Sequence, residues 1–122
     1  MAESSNKKFD LEDRTRKFAG EVIDFVKTLK IDPINSRIIE QLVGSSGSVG
    51  ANYCEAAEAE SKKDFVHKMG ISKKELRETI HWLELLKRVH PEHKEKIESF
   101  LDETHQLLLI FAKIVRTSLS KI

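Results

Sequence analysis

Residues 61–88 read SKKDFVHKMGISKKELRETIHWLELLKR, and this stretch decides the fold. Its apolar residues recur every three or four positions and never alternate, the period of an α-helix with a buried stripe. Phe65, Met69, Leu76, Thr79, Leu83 and Leu86 make up that stripe. The Ser61 hydroxyl is placed to cap the first amides and Asp64 suits the positive end. Lys87 and Arg88 suit the negative end, so the helix carries its own start and stop signals.

The same period continues on both sides. Upstream, residues 36–59 place Ile38, Leu42, Ser45, Val49 and Ala56 on one stripe, with Ile39, Val43 and Tyr53 beside it. Before them, residues 11–29 align Leu11, Phe18, Val22, Phe25 and Leu29, with Asp10 as the expected N-cap. The two are separated at Ile31-Asp32-Pro33, because proline disfavours helix in the residue before it. Downstream, Pro91 suits a first helical position and opens a segment through Ile97, Leu101, Thr104, Leu108, Phe111 and Val115 to the C-terminus. Helices joined by short loops lie antiparallel to their neighbours. The expectation is all-α: an up-down-up-down antiparallel four-helix bundle over residues 10–122, behind a flexible N-terminal tail, residues 1–9.

Composition agrees with one such domain. The chain has 122 residues, 39% hydrophobic and 34% charged, with five Gly and two Pro, which argues against disorder. One cysteine, Cys54, excludes an internal disulfide and a multi-cysteine zinc site. No stretch approaches the ~18 apolar residues that span a bilayer, and MAESSNKKFD has no signal-peptide core. The expected location is a reducing cytoplasm, with no membrane partner.

A net charge of +1 supplies no global field for nucleic acid or anionic lipid. The charge is unevenly spread, however. Residues 1–60 carry 8 cations and 11 anions, whereas residues 61–96 carry 10 and 6, with four of the five histidines. The ordinary account is a solvated helix face; the alternative is a modest anion-binding face.

Gly44, Gly47 and Gly50 interrupt the second helix, each at roughly 1 kcal/mol relative to Ala. A phosphate loop needs a strand before it, which is absent. The glycines instead predict a smooth surface for close helix approach. On the third helix, Ile71, Trp82, Leu85 and Leu86 form a second apolar group, roughly 110° from the first. On the fourth, Phe100, Leu107, Ile110 and Ile114 flank the core stripe. An isolated bundle needs one stripe per helix, so this surplus predicts self-association, with Ile71, Trp82, Leu85 and Leu86 at the interface.

Helix bundles can hold metals with Glu-x-x-His pairs. Glu78-x-x-His81 and Asp102-x-x-His105, with Glu21 and Glu55, supply the residues on paper. Glu78 and His81 nevertheless lie roughly 140–160° from their helix's core stripe, so they point outward. His90-x-x-His93 at a helix start is at most an adventitious metal binder. Cys54 has no activating neighbour in sequence, and Ser45, Ser46 and Ser48 lack a strand-borne elbow. Asn52 and Glu55, beside the core stripe, are expected to be partly buried and partnered from another helix. No catalytic, cofactor-binding or metal residue, and no small-molecule substrate, is assigned.

The strings Ser45-Ser-Gly-Ser-Val-Gly-Ala-Asn-Tyr-Cys-Glu-Ala56, Ser61-Lys-Lys-Asp-Phe65 and Lys73-Lys-Glu-Leu-Arg-Glu-Thr-Ile-His-Trp-Leu83 resemble a bacterial family. It is the four-helix-bundle family of 23S rRNA-intervening-sequence proteins, also called the S23 ribosomal protein family. Phe18-Ala19 and Lys113-Ile-Val-Arg-Thr117 extend the resemblance over nearly the whole chain. It implies a homopentamer of four-helix protomers, no established enzymatic activity, no cofactor, and a role around ribosomal RNA or the ribosome. A related branch assists reverse transcriptases of diversity-generating retroelements through a basic pentameric barrel that binds nucleic acid.

The family motif implies packing roles for Gly50, Asn52, Glu55, Glu75, Glu78 and Thr79. The family often has Arg where this chain has Gly44, Cys54 and Glu84, so fewer cations are available for phosphate. Those expected to meet RNA are Lys73, Lys74, Arg77, Lys87 and Arg88. The functional expectation is a non-enzymatic, ring-forming interaction protein that binds RNA or ribosomes. The alternatives are a protein-interaction scaffold, a reverse-transcriptase accessory and a bundle metalloenzyme.

Overall fold

The structure, a computed structural model, describes residues 7–120. Four helices follow one another: α1 (Lys7–Val26), α2 (Ser36–Ala57), α3 (Lys62–Val89) and α4 (Lys94–Ser120), with a 3₁₀ turn at Pro91–His93 before the last. Because α1 starts at Lys7, Asp10 lies inside the helix and is not its cap. The start also falls within the stretch expected as a tail, of which residues 1–6 lie outside the described residues.

Local chemistry sets the other boundaries. Ser61, extended at φ −141°, accepts from the Asp64 amide at 3.0 Å and starts α3. Pro91 occupies the first position of the 3₁₀ turn. α1 ends three residues short of Leu29, tightening through Thr28 N–H to Phe25 O and Leu29 N–H to Val26 O. This tighter turn still buries Leu29. Asp32 Oδ1 then accepts from the Ile34 and Asn35 amides, both at 2.8 Å, which folds the chain back into α2.

Contacts along the helices fix an antiparallel order. Thr15 of α1 meets Gly50 of α2, Ser72 of α3 bonds Val49 of α2, Lys87 of α3 pairs with Glu98 of α4, and Arg14 of α1 reaches Glu103 of α4. The bundle is therefore up-down-up-down. Its core joins Phe18, Val22, Leu42, Val49, Tyr53, Met69, Leu76, Leu83, Leu86, Ile97, Phe100, Leu107 and Phe111.

The stripe assignments change on α2 and α4. Ile39 is buried and Ile38 only half so. On α4, Phe100 and Leu107 are core residues, while Leu108 is half-buried. The glycine expectation holds only for Gly50, where a Cβ would lie 2.8 Å from Thr15 Oγ1. Around Gly44 and Gly47 nothing lies within 4 Å of that position, so no close packing within the protomer requires glycine there.

Candidate interaction surface

α3 packs on α2 along one side and on α4 along the other, so its buried arc is wider than a single stripe. Leu86 falls inside that arc at 0% exposure and belongs to the core, correcting its placement at an interface. Ile71 and Trp82 are half-buried and Leu85 is exposed at 37%. These three remain as an apolar flank at the edge of the core, against which Trp82 packs. Trp82 has the His81 imidazole edge-on against its ring, centroids 4.7 Å apart. Glu75 lies one turn beyond Ile71 on this flank, and its carboxyl is held above the usual carboxylate range. Burial is the main cause, the Glu78 charge adds to it, and Lys74 opposes both.

Larger exposures than that of Leu85 escape the sequence periodicity. Leu109 is 71% exposed on α4, hidden in sequence within the greasy run Leu107–Ala112. Ile34, 69% exposed, and Ile31 stand on the α1–α2 turn.

The five cations expected to meet RNA do not behave alike. Lys87 Nζ lies 3.2 Å from Glu84 and 3.5 Å from Glu98, so its charge is already matched. Among the described residues, Lys73, Lys74, Arg77 and Arg88 have no carboxylate within 4.0 Å. Lys74, Arg77 and Arg88 are exposed and Lys73 half-buried. Lys73, Arg77 and Arg88 share an arc of about 60°. Lys94 joins Arg88 around a shallow concavity with Glu84, Lys87 and Pro91. It lies across the α3–α4 turn, where helical spacing on one segment cannot find it.

The paper metal set is not assembled. Glu21, Glu55, Glu78, His81, Asp102 and His105 are all exposed, and no group of three or more His, Cys, Asp or Glu that could hold a metal occurs among the described residues. His105 Nδ1 bonds Leu101 O at 2.8 Å. Cys54 is half-buried and donates to Glu12 Oε2 at 3.3 Å; burial first, then Glu12, push the thiol up and away from the reactive thiolate. No helix among the described residues is long and apolar enough to cross a membrane.

Residues 7–113 match the family of 23S rRNA-intervening sequence proteins. The chain belongs to this family. A crystal structure from the S23 ribosomal protein family, a Bacteroides thetaiotaomicron protein of unknown function, is 31% identical. It covers 90% of this chain and 98% of its own, with a TM-score of 0.78. No curated protein matches the chain.

In this 23S rRNA-intervening sequence protein the motif residues bind helices to one another in three ways. Gly50 lets Thr15 of α1 approach the α2 backbone. Thr79, buried, bonds Glu75 O at 2.8 Å within α3 and meets Ser45 Oγ of α2 at 2.9 Å. Glu55 takes the Lys68 ammonium of α3 at 3.1 Å, although it is exposed and not partly buried as expected. Asn52 differs from expectation too: its partner is Ser48 O on its own helix. Glu78 is exposed and acts on Glu75 through charge alone.

Proposed function

We propose that this protein is a non-enzymatic, self-assembling RNA-associated protein of its family. Copies join through the α3 flank of Ile71, Trp82 and Leu85, and RNA lies against Lys73, Lys74, Arg77 and Arg88. The observation that carries the reading is that α3 leaves a half-buried indole, packed against the edge of the core, beside half-buried Ile71 and exposed Leu85. Partly uncovered apolar surface of this kind marks interaction sites. The surplus of cations over anions in residues 61–96 and the family's ribosomal RNA name support the nucleic-acid part. Repetition of a weak patch around a ring, five-fold in the assembly the resemblance implies, multiplies its affinity by avidity. Glu21, Glu55, Glu78, His81, Asp102 and His105 are all exposed, which supports a binding role over a bundle metalloenzyme.

Trp82→Glu tests the assembly. Light scattering should report a smaller particle for the variant at the same helix content, and an unchanged mass would overturn the interface. Gel shifts on 23S rRNA fragments test the second part. Binding should appear at low salt, weaken steeply as salt rises, and fall in an Arg77→Ala/Arg88→Ala double variant. No shift at tens of micromolar, on the order of non-specific affinities, would remove the RNA role and leave a protein scaffold.

A further inference from the structure

We propose that Asn35 and His90 form a proton-sensitive latch between the α1–α2 turn and the α3–α4 corner, closed while His90 is neutral and opened by a proton on its Nε2. Asn35 has no solvent exposure. Its Oδ1 accepts from the Asp32 amide at 2.9 Å, which fixes which side of the side-chain amide is oxygen. The Nδ2 group then has two hydrogens to place. One goes to Lys30 O at 3.0 Å and the other to His90 Nε2 at 3.1 Å, across 55 residues of sequence.

A ring nitrogen that accepts carries no proton, so His90 is the neutral tautomer with its hydrogen on Nδ1. That hydrogen points at Glu92 Oε2, 2.9 Å away. Every polar group in the chain from Lys30 O through Asn35 and His90 to Glu92 is thereby matched, donor to acceptor. The same tautomer leaves no lone pair on Nδ1 for a metal, so the His90, Glu92, His93 sequence is not a metal site in this state.

A proton on Nε2 sets N–H against N–H. Asn35 cannot turn its oxygen toward the ring without losing the Asp32 amide and facing it with a donor instead. The charges around the ring do not restore the contact. Glu92 is exposed and already bonded to Nδ1–H in the neutral form. His93 lies with its ring 6.0 Å away and its Nε2 3.9 Å from the same Glu92 oxygen. The Asp32 carboxylate is engaged by the Ile34 and Asn35 amides. From α3, Leu86 O holds the His90 backbone amide and the neighbouring Lys87 is turned to Glu84 and Glu98. From the α1–α2 turn, Lys30 contributes its carbonyl; on α4, Lys94 is exposed and Lys96 lies over the Phe100 ring. Protonation therefore releases a buried contact and leaves the exposed one in place. The turn bearing Ile31 and Ile34 is then freed from the α3–α4 corner.

The full-length protein, labelled with ¹⁵N, tests this in two measurements. At pH 8 the imidazole spectrum should show His90 with Nδ1 protonated and Nε2 bare. Between pH 8 and pH 5, exchange protection of the Asp32 and Asn35 amides should fall about tenfold. The Asp64 and Phe65 amides, at the other end of the bundle, should hold theirs. His90→Gln should abolish the pH step. An Nε2-protonated tautomer at pH 8, constant protection through the titration, or a step that persists in His90→Gln would each overturn the latch. Should the variant fail to fold, the two wild-type measurements decide it alone.

Discussion

Along α2 and α3, hydroxyl side chains stand between the helices; between α1 and α4, aromatic rings do. Ser72 Oγ donates to Val49 O at 2.9 Å and Ser45 meets Thr79, so the α2–α3 backbones run close together for much of their length. Phe18, Phe25 and Phe100 stack edge-on or tilted with centroids 5.7–6.0 Å apart, and the α1 and α4 backbones approach one another only sparsely. Side-chain size at the contact sets the spacing of the axes. The close seam must satisfy polar groups internally, and no buried side-chain N or O among the described residues lacks a partner. The wide seam is sealed by ring area, with Arg14 clamping Glu103 through two bonds of 2.7 and 2.9 Å at its edge.

The largest break should come at the wide seam. Phe100 is 2% exposed and touches both other rings, so Phe100→Ala opens a cavity that two neighbours cannot fill. Urea unfolding should show a loss of about 3–5 kcal/mol. A loss below about 1.5 kcal/mol would mean that the rings slide together and that the spacing is not set by them.

At the close seam the sensitive direction reverses, from removing volume to adding it. Ser72→Leu pushes extra carbons between backbones that have no room, at about 1–3 kcal/mol. Ser72→Ala loses only the hydroxyl bond to a carbonyl, about 1 kcal/mol. Equal losses from the two variants, read by the same unfolding titration, would show that the α2–α3 spacing is slack.

Why parts of this were legible in the sequence follows from distance along the chain. Helix periods and the Ser61 cap depend on residues within four positions of each other, and they could be read directly. Leu86 was ambiguous because 100° arithmetic gives an angle but not the width of the arc that two neighbouring helices cover. Phe100 and Leu107 looked like surplus for the same reason. Asp10 resembled a cap since its residue type is right, but the helical turn before it already begins at Lys7. The site shows the same limit more strongly. The α3 flank was visible apart from Leu86, whereas the matching of Lys87 by Glu98, the addition of Lys94 and the Asn35–His90 contact all cross between elements.

The smallest effect separates glycines that look equivalent in sequence. Gly44 and Gly47 are exposed, and a Cβ on either meets nothing within 4 Å. Gly44→Ala and Gly47→Ala should each raise protomer stability by about 1 kcal/mol, the helix-propensity gain alone. Gly50→Ala should not, because its methyl would sit 2.8 Å from Thr15 Oγ1 and 3.3 Å from Thr15 Cβ. Thr15 is buried and held by its own bond to Leu11 O at 2.8 Å, so it cannot step aside cheaply. Thermal unfolding at a concentration that keeps the protein monomeric measures the gain. Repeating it at high concentration then asks a sharper question of the same two variants. A gain that disappears on assembly would place Gly44 and Gly47 against a second copy, and one that persists would leave them facing water.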